Sequence, residues 1–271
     1  MRCHYLSDLH LESQEFGWLL PEGDVLIIAG DLCHAARLDP ARSDKCSVDQ
    51  RSRVMRFIDL ACASYRHVLL VAGNHEHYDG IFEETTLLLR QQLPAVRVLD
   101  DEAIVIDGVR FFGTTLWSDF DGRSAASMNR ARRRVGEYFF VRTRSETADG
   151  RETLTRFQPE HALAAHDKAW AALSSEVRSG SGGCRVVISH HPPSRQGLNP
   201  DHAGNGLDGA YASDLERAIE ALGRIDVWVH GHTHIRRRYR IGEITVRANC
   251  RGRDHKDLSA RAFSPTAYFD V

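Results

Sequence analysis

Apolar runs that stop abruptly on polar side chains constrain this chain more than any other feature. In His67-Val-Leu-Leu-Val-Ala-Gly-Asn-His-Glu76 the run Val68 to Ala72 ends at Gly73 and gives way at once to an amide, an imidazole and a carboxylate. A continuous apolar stretch of that length reads as a buried strand, which delivers its polar successors to the strand's end. The pattern recurs where Val25 to Gly30 runs into Asp31, Val186 to Ser189 into His190, and Val227 to Gly231 into His232. Several such endings predict a common edge of one sheet, and a site along it.

Composition narrows the class. At 271 residues and 30.5 kDa the chain can bury a sizeable α/β core. A net charge of −2 gives no argument for nucleic-acid binding by the chain as a whole, so any basic surface must be local. The N-terminal Met1-Arg-Cys-His-Tyr-Leu6 enters a strand-like pattern at once, with no leader pattern, and no stretch reaches the ~20 apolar residues of a spanning helix. The expectation is a cytoplasmic protein with no membrane partner. Cys3, Cys33, Cys46, Cys62, Cys184 and Cys250 are scattered without a Cys-x-x-Cys pair, which fits reduced thiols better than disulfides or structural zinc.

Residues 2 to 7 read as the first strand, followed by Asp8-Leu-His10; in extended backbone those two side chains share a face. Val25 to Ala29 is the second strand, and Val54 to Cys62 carries the helical spacing of a crossover into Val68 to Val71. A helix is expected at Thr85 to Gln92 and a strand at Val96 to Leu99. Asp107-Gly108 between two apolar runs marks a hairpin. A second is expected around Gly242-Glu243, so the second half of the core is expected to turn antiparallel. Helices are read at Glu160 to Val177 and Ala212 to Leu222, the first joined by Ser179-Gly-Ser-Gly-Gly183 to a strand starting at Cys184. Residues 196 to 209 read as a rim loop.

With no repeat or domain boundary, residues 1–271 read as a single domain with an insertion or cap at 117–159. That segment carries Arg130, Arg132, Arg133, Arg134, Arg142 and Arg144 around Tyr138-Phe-Phe140. It is either a solvated, partly helical surface or a cap that brings arginine to an anionic substrate.

The strand-end residues Asp8, His10, Asp31, Asn74, His75, His190, His232 and His234 are too many for one tetrahedral zinc and about right for two ions sharing a bridge. Mixed His, Asp and Asn ligation suits Mn, Fe, Zn or Co. The order Asp8-x-His10, Gly30-Asp31, Gly73-Asn-His-Glu76, His190 before Pro192-Pro193, and Gly231-His-Thr-His234 resembles the calcineurin-like metallophosphoesterase superfamily. The resemblance implies an α/β fold of two mixed β-sheets packed as a sandwich and flanked by helices, four layers in all. It implies that Asp8, His10 and His234 hold one metal, that Asn74, His190 and His232 hold the other, and that Asp31 bridges them. A metal-bridging hydroxide would then attack phosphorus in line. His75 would assist the leaving oxygen, with Glu76 orienting its ring.

Other residues take lesser roles: His191 supports or lines the site, His230 is structural, and Cys33 and His34 pack a loop. Gly30-Asp31-Leu-Cys-His34 lacks the Asp-Arg-Gly of phosphoprotein phosphatases and the tyrosine of purple acid phosphatases. The remaining resemblance is to small bacterial-type phosphoesterases, which implies a small phosphate-ester substrate; diesters are expected ahead of monoesters because the insertion and the 196–209 loop could accommodate a second ester substituent. The alternatives are a phosphomonoesterase, a nuclease, for which the arginine-rich segment is the only support, and a non-catalytic interaction scaffold. The complete ligand set argues against the last.

Overall fold

The computed structural model describes all residues except 148, 180–184, 203, 254–256 and 258–261. β1 (Arg2–Leu6), β2 (Gly23–Ile28), β3 (Tyr65–Val71) and β4 (Arg97–Leu99) run parallel in one sheet. The helix Lys45–Ser64 makes the crossover between β2 and β3. It begins well before the apolar signal at Val54 because Asp44 caps it, accepting from the Ser47 amide, and the buried positions of its first turns, Ser47 and Gln50, are polar. From there on the buried positions are the apolar Val54, Phe57, Ile58 and Ala61.

The chain then enters a second sheet with β5 (Glu102–Ile106) and β6 (Val109–Thr114). Asp107 and Gly108 between them both take positive φ, 46° and 84°, as a two-residue I′ turn requires. Beyond Thr114 the chain leaves this sheet. Here the sequence pattern hid a hairpin, because β7 (Arg142–Glu146) and β8 (Glu152–Arg156) are almost wholly polar and form a two-stranded sheet of their own, bridged to Ile81 at Arg142. The helix Ala125–Arg134 and the turn Glu137–Phe140 complete the segment. Tyr138, Val141 and Phe157 form an apolar cluster there with Trp117, Phe120 and Tyr78.

The chain returns through the helix Pro159–Ser179 to β9 (Arg185–Ser189), β10 (Val227–His230), β11 (Arg236–Ile241) and β12 (Ile244–Asn249). The expected Gly-rich connection and the strand start at Cys184 lie outside the described residues, apart from Ser179, which ends the helix. β13 (Tyr268–Asp270) closes the first sheet antiparallel to β1. The second sheet has the order β11-β12-β10-β9-β6-β5, and this corrects the antiparallel expectation: β12, β10, β9 and β6 are parallel, and only the two edges are antiparallel. A hairpin signal specifies pairing between sequence neighbours and says nothing about the strand on the other side.

The expected helix Ala212 to Leu222 is also shorter, covering Glu216–Leu222. The amides of Ser213 and Leu215 bond instead to the carbonyls of Pro192 and Pro193.

Alternation along the central strands explains the layers. Val25, Ile27, Leu69 and Val71 meet Phe111, Val186, Ile188 and Val229 between the two sheets. Leu26, Ile28 and Leu70 face the other way, onto Val54, Phe57 and Leu89 of the helices. Phe112, Val187, Trp228 and Val246 do the same on the far side, against Leu173 and Ile219. Strands apolar on both faces can be covered only so, giving two mixed sheets flanked by helices. Among the described residues no helix is long and apolar enough to cross a membrane, and Cys33, Cys46, Cys62 and Cys250 are free thiols.

Candidate active site

Each expected ligand sits just past the end of a central strand: Asp8 and His10 after β1, Asp31 after β2, Asn74 after β3, His190 after β9, His232 and His234 after β10. The extended geometry expected for Asp8-x-His10 is corrected by the backbone. Asp8 (φ 55°) and His10 (φ 50°) are both left-handed, as are Asp31 (55°), His232 (72°) and His234 (49°). This conformation costs an L-residue roughly 1–2 kcal/mol, so its repetition at one site requires that surrounding bonds impose it. Asp8 N donates to Gly30 O, His10 N to Asp31 O, and His232 N to both Asp8 oxygens at 3.0 and 3.1 Å. Close packing contributes as well: a Cβ on Gly231 would stand 2.7 Å from the Ala29 carbonyl oxygen.

The donor atoms form two groups. In the first, His10 Nε2 and His234 Nε2 are 3.0 Å apart, and Asp8 Oδ1 is 3.5 Å from His234 Nε2. In the second, Asn74 Oδ1 is 3.0 Å from His190 Nε2 and 3.1 Å from His232 Nδ1. Asp31 lies between them, its Oδ2 4.0 Å from His10 Nε2 and its Oδ1 3.4 Å from His190 Nε2. Burial opposes the charge on Asp31, but His190, His75 and His10 outweigh it and hold the carboxyl well below the usual range.

Outer partners set the tautomers. His10 Nδ1 faces Glu12 Oε1 at 2.9 Å, His190 Nδ1 faces the Ala29 carbonyl at 2.8 Å, and His234 Nδ1 faces Asp257 Oδ2 at 2.6 Å. Oxygen acceptors there require an N–H on Nδ1, so each of the three rings, in its neutral form, turns an Nε2 lone pair inward. Lone pairs and carboxylates converging in this way are completed by cations, and the residues present fit a pair of metal ions with mixed nitrogen and oxygen ligation.

His75 is held apart from the two groups. Its backbone N–H donates to Asp31 Oδ1 at 2.9 Å, its ring stacks on Tyr78 with centroids 4.3 Å apart, and its Nδ1 lies 3.2 Å from Glu12 Oε1. The ring partner expected in Glu76 is therefore Glu12. Glu76 is fully buried and accepts from four backbone amides: Leu32 and Cys33 on Oε1, Asp31 and Gly73 on Oε2. Burial opposes the charge of Glu12 too, yet its bonds to His10 and His75 hold it well below the usual carboxylate range.

All nine expected residues thus meet at one place. His191 joins them: buried against the His232 ring at 4.0 Å, it has no hydrogen-bond partner for either ring nitrogen among the described residues. His230 bonds Gly231 O and the Tyr239 hydroxyl, and His34 bonds Asp79. Glu12, Arg253 and Asp257 were missed. Only Glu12 had a signal, since it continues the i, i+2 spacing of Asp8 and His10.

A cavity of about 440 Å³ opens above Asp31, Asn74, His75, His232 and His234. Residues 135–137 and Phe140 wall one side, and Leu198, Asn199, Asn205 and Tyr211 wall another. None of the six arginines at 130–144 is among the described residues that line it. Arg130 and Arg134 bond the carbonyls of Gly206 and Asn205, while Arg132 and Arg144 pair with glutamates. That segment ties loops together instead of presenting arginine to the cavity.

These features define a two-sheet fold with a metal-binding strand edge, and the chain belongs to the calcineurin-like phosphoesterase family, whose profile matches residues 1–236. A similar protein, uncharacterized protein L509 of Acanthamoeba polyphaga mimivirus, is 20% identical over 233 residues, covering 80% of this chain and 78% of that one. Among solved structures, phosphopantetheinyl hydrolase (PptH) from Mycobacterium tuberculosis shares the fold, with a TM-score of 0.60 at 17% identity over 95% of this chain and 93% of its own.

Proposed function

We propose that this protein hydrolyses phosphate esters, diesters ahead of monoesters, using two metal ions. The observation that carries the reading is the pair of donor groups joined by Asp31, with a separate imidazole beside them. Asp8, His10 and His234 would hold one ion, Asn74, His190 and His232 the other, and Asp31 would be shared. When bound, the pair supplies Lewis acidity toward a phosphoryl oxygen and an activated water as nucleophile.

The chain's own residues do the rest. His75, placed by its backbone bond to Asp31 and by Glu12, hydrogen-bonds the leaving oxygen and gives it a proton. Glu76 ties the Asp31 and Gly73 loops together through their amides, fixing the shared carboxylate relative to His75. The cavity, walled on two sides, has room for a second ester substituent, which supports diesters.

Protein reconstituted with Mn, Fe, Zn or Co is expected to hydrolyse bis(p-nitrophenyl) phosphate faster than p-nitrophenyl phosphate. Activity on neither would overturn the proposal, and the reverse order would overturn the diester preference. His75→Ala is expected to keep both metals and to lose roughly 10²–10⁴-fold on esters with poor leaving groups, but little on p-nitrophenol, which departs without an acid. Equal losses on both substrates would remove the proton-donor role.

A further inference from the structure

Every charged side chain that the fold brings to the donor groups from the motifs is an acid or a histidine, and the cavity's described cation comes from elsewhere. Arg253 lies beyond residue 236, where the family match ends, and lines the same cavity as Asp31, His75, His232 and His234. Its Nη2 donates to His75 Nε2 at 3.1 Å, the nitrogen left as acceptor because Nδ1 faces Glu12. Its backbone N–H is fixed on Asp257 Oδ2 at 2.7 Å, the same oxygen that receives His234 Nδ1. The position of Arg253 is therefore tied, through Asp257, to the expected ligand His234.

A guanidinium carries five N–H donors and a permanent charge. Here one donor meets a neutral ring nitrogen, and among the described residues no carboxylate forms an ion pair with Arg253, although Asp31, Glu137 and Asp257 line the same cavity. A half-buried arginine in a cleft whose other ionisable side chains are acids, histidines and tyrosines is placed to receive an anion, and a planar fork of donors matches the oxygens of a phosphate.

Resting on the phosphoesterase reading, we propose that Arg253 is a substrate-binding residue that grips a phosphate oxygen on the leaving-group side, next to His75. On binding, a phosphate oxygen replaces His75 Nε2 as acceptor of the guanidinium N–H, which frees that ring nitrogen to take up a proton from solvent and pass it to the leaving oxygen while Nδ1–H stays on Glu12. The contact aligns the ester bond with the imidazole and supplies positive charge beside it.

The test uses metal-loaded full-length protein and inorganic phosphate as the probe, with binding measured by calorimetry and turnover on bis(p-nitrophenyl) phosphate. Arg253→Gln is expected to weaken phosphate binding roughly 10- to 100-fold and to raise KM, with metal content and melting temperature unchanged. Arg253→Lys, which keeps the charge without the fork, is expected to fall between the two. It also serves as the measurable variant if Arg253→Gln does not fold. Phosphate affinity and KM within twofold of wild type, or a loss that tracks falling metal content, would overturn the assignment. Because phosphate binding needs no turnover, wild type that binds phosphate but cleaves no ester counts against the phosphoesterase reading alone. Wild type that cleaves esters while Arg253→Gln matches it counts against Arg253 alone.

Discussion

Asp31→Asn is expected to abolish measurable ester hydrolysis, by roughly a thousandfold or more, since polarisation by metal ions is worth several kcal/mol of the barrier. The substitution is nearly isosteric, so the loss is chemical. It is also expected to be lopsided. Asp31 Oδ1 accepts the His75 backbone N–H at 2.9 Å, and only the carbonyl oxygen of an asparagine can keep that bond. The amide nitrogen is then forced into the position of Oδ2, which faces His10 at 4.0 Å. A donor now points at the group of Asp8, His10 and His234, while the group of Asn74, His190 and His232 keeps its shared oxygen. Metal analysis is expected to fall from two ions per chain toward one, with the survivor in the second group. Retention of both ions at wild-type affinity would sink the idea that Asp31 is shared between them.

The same geometry shows what a sequence can reveal of such a site. Asp8, His10, Asp31, Asn74, His190, His232 and His234 were legible because each follows an apolar run within a residue or a few, and an abrupt ending is a local signal. The left-handed backbone at five of them was not legible. It is imposed by bonds between loops far apart in sequence, such as His232 N to Asp8, and the residues themselves are not glycines that would announce it. The parallel centre of the second sheet escaped for a related reason, since β9 and β10 meet across a connection that carries no pairing signal. Arg253 and Asp257 arrive from beyond the last motif with no periodicity, and only tertiary contacts reveal them. The arginines at 130–144 were conspicuous by number, yet several are spent on backbone carbonyls and glutamates. A count of charges does not say what they face.

Glu76 gives the second large effect, and it separates two roles that the sequence alone confuses. An acid next to a candidate catalytic histidine reads as that histidine's partner, because side chains have identities in a sequence and backbone amides do not. In the structure its two oxygens satisfy the amides of Asp31, Leu32, Cys33 and Gly73, all buried, at 2.6–3.1 Å. Burial and the neighbouring Asp31 charge raise its pKa, and the amides offset that rise only in part. Four N–H donors offer no acceptor for an added proton, so the group is built to work as a carboxylate. Glu76→Gln replaces one oxygen by an NH2 that faces two amides it cannot accept from. At about 1–3 kcal/mol for each orphaned buried group the fold should lose roughly 2–6 kcal/mol, which lowers the melting temperature by about 5–20 °C in a chain of this size. The measurement belongs on metal-free protein, where ligand binding cannot mask or mimic the change. An orienter of His75 would instead leave the metal-free protein as stable as wild type and slow only turnover on poor leaving groups, the signature of His75→Ala. A melting temperature within about 2 °C of wild type would therefore return Glu76 to the imidazole and remove it from the loops that carry Asp31 and Asn74.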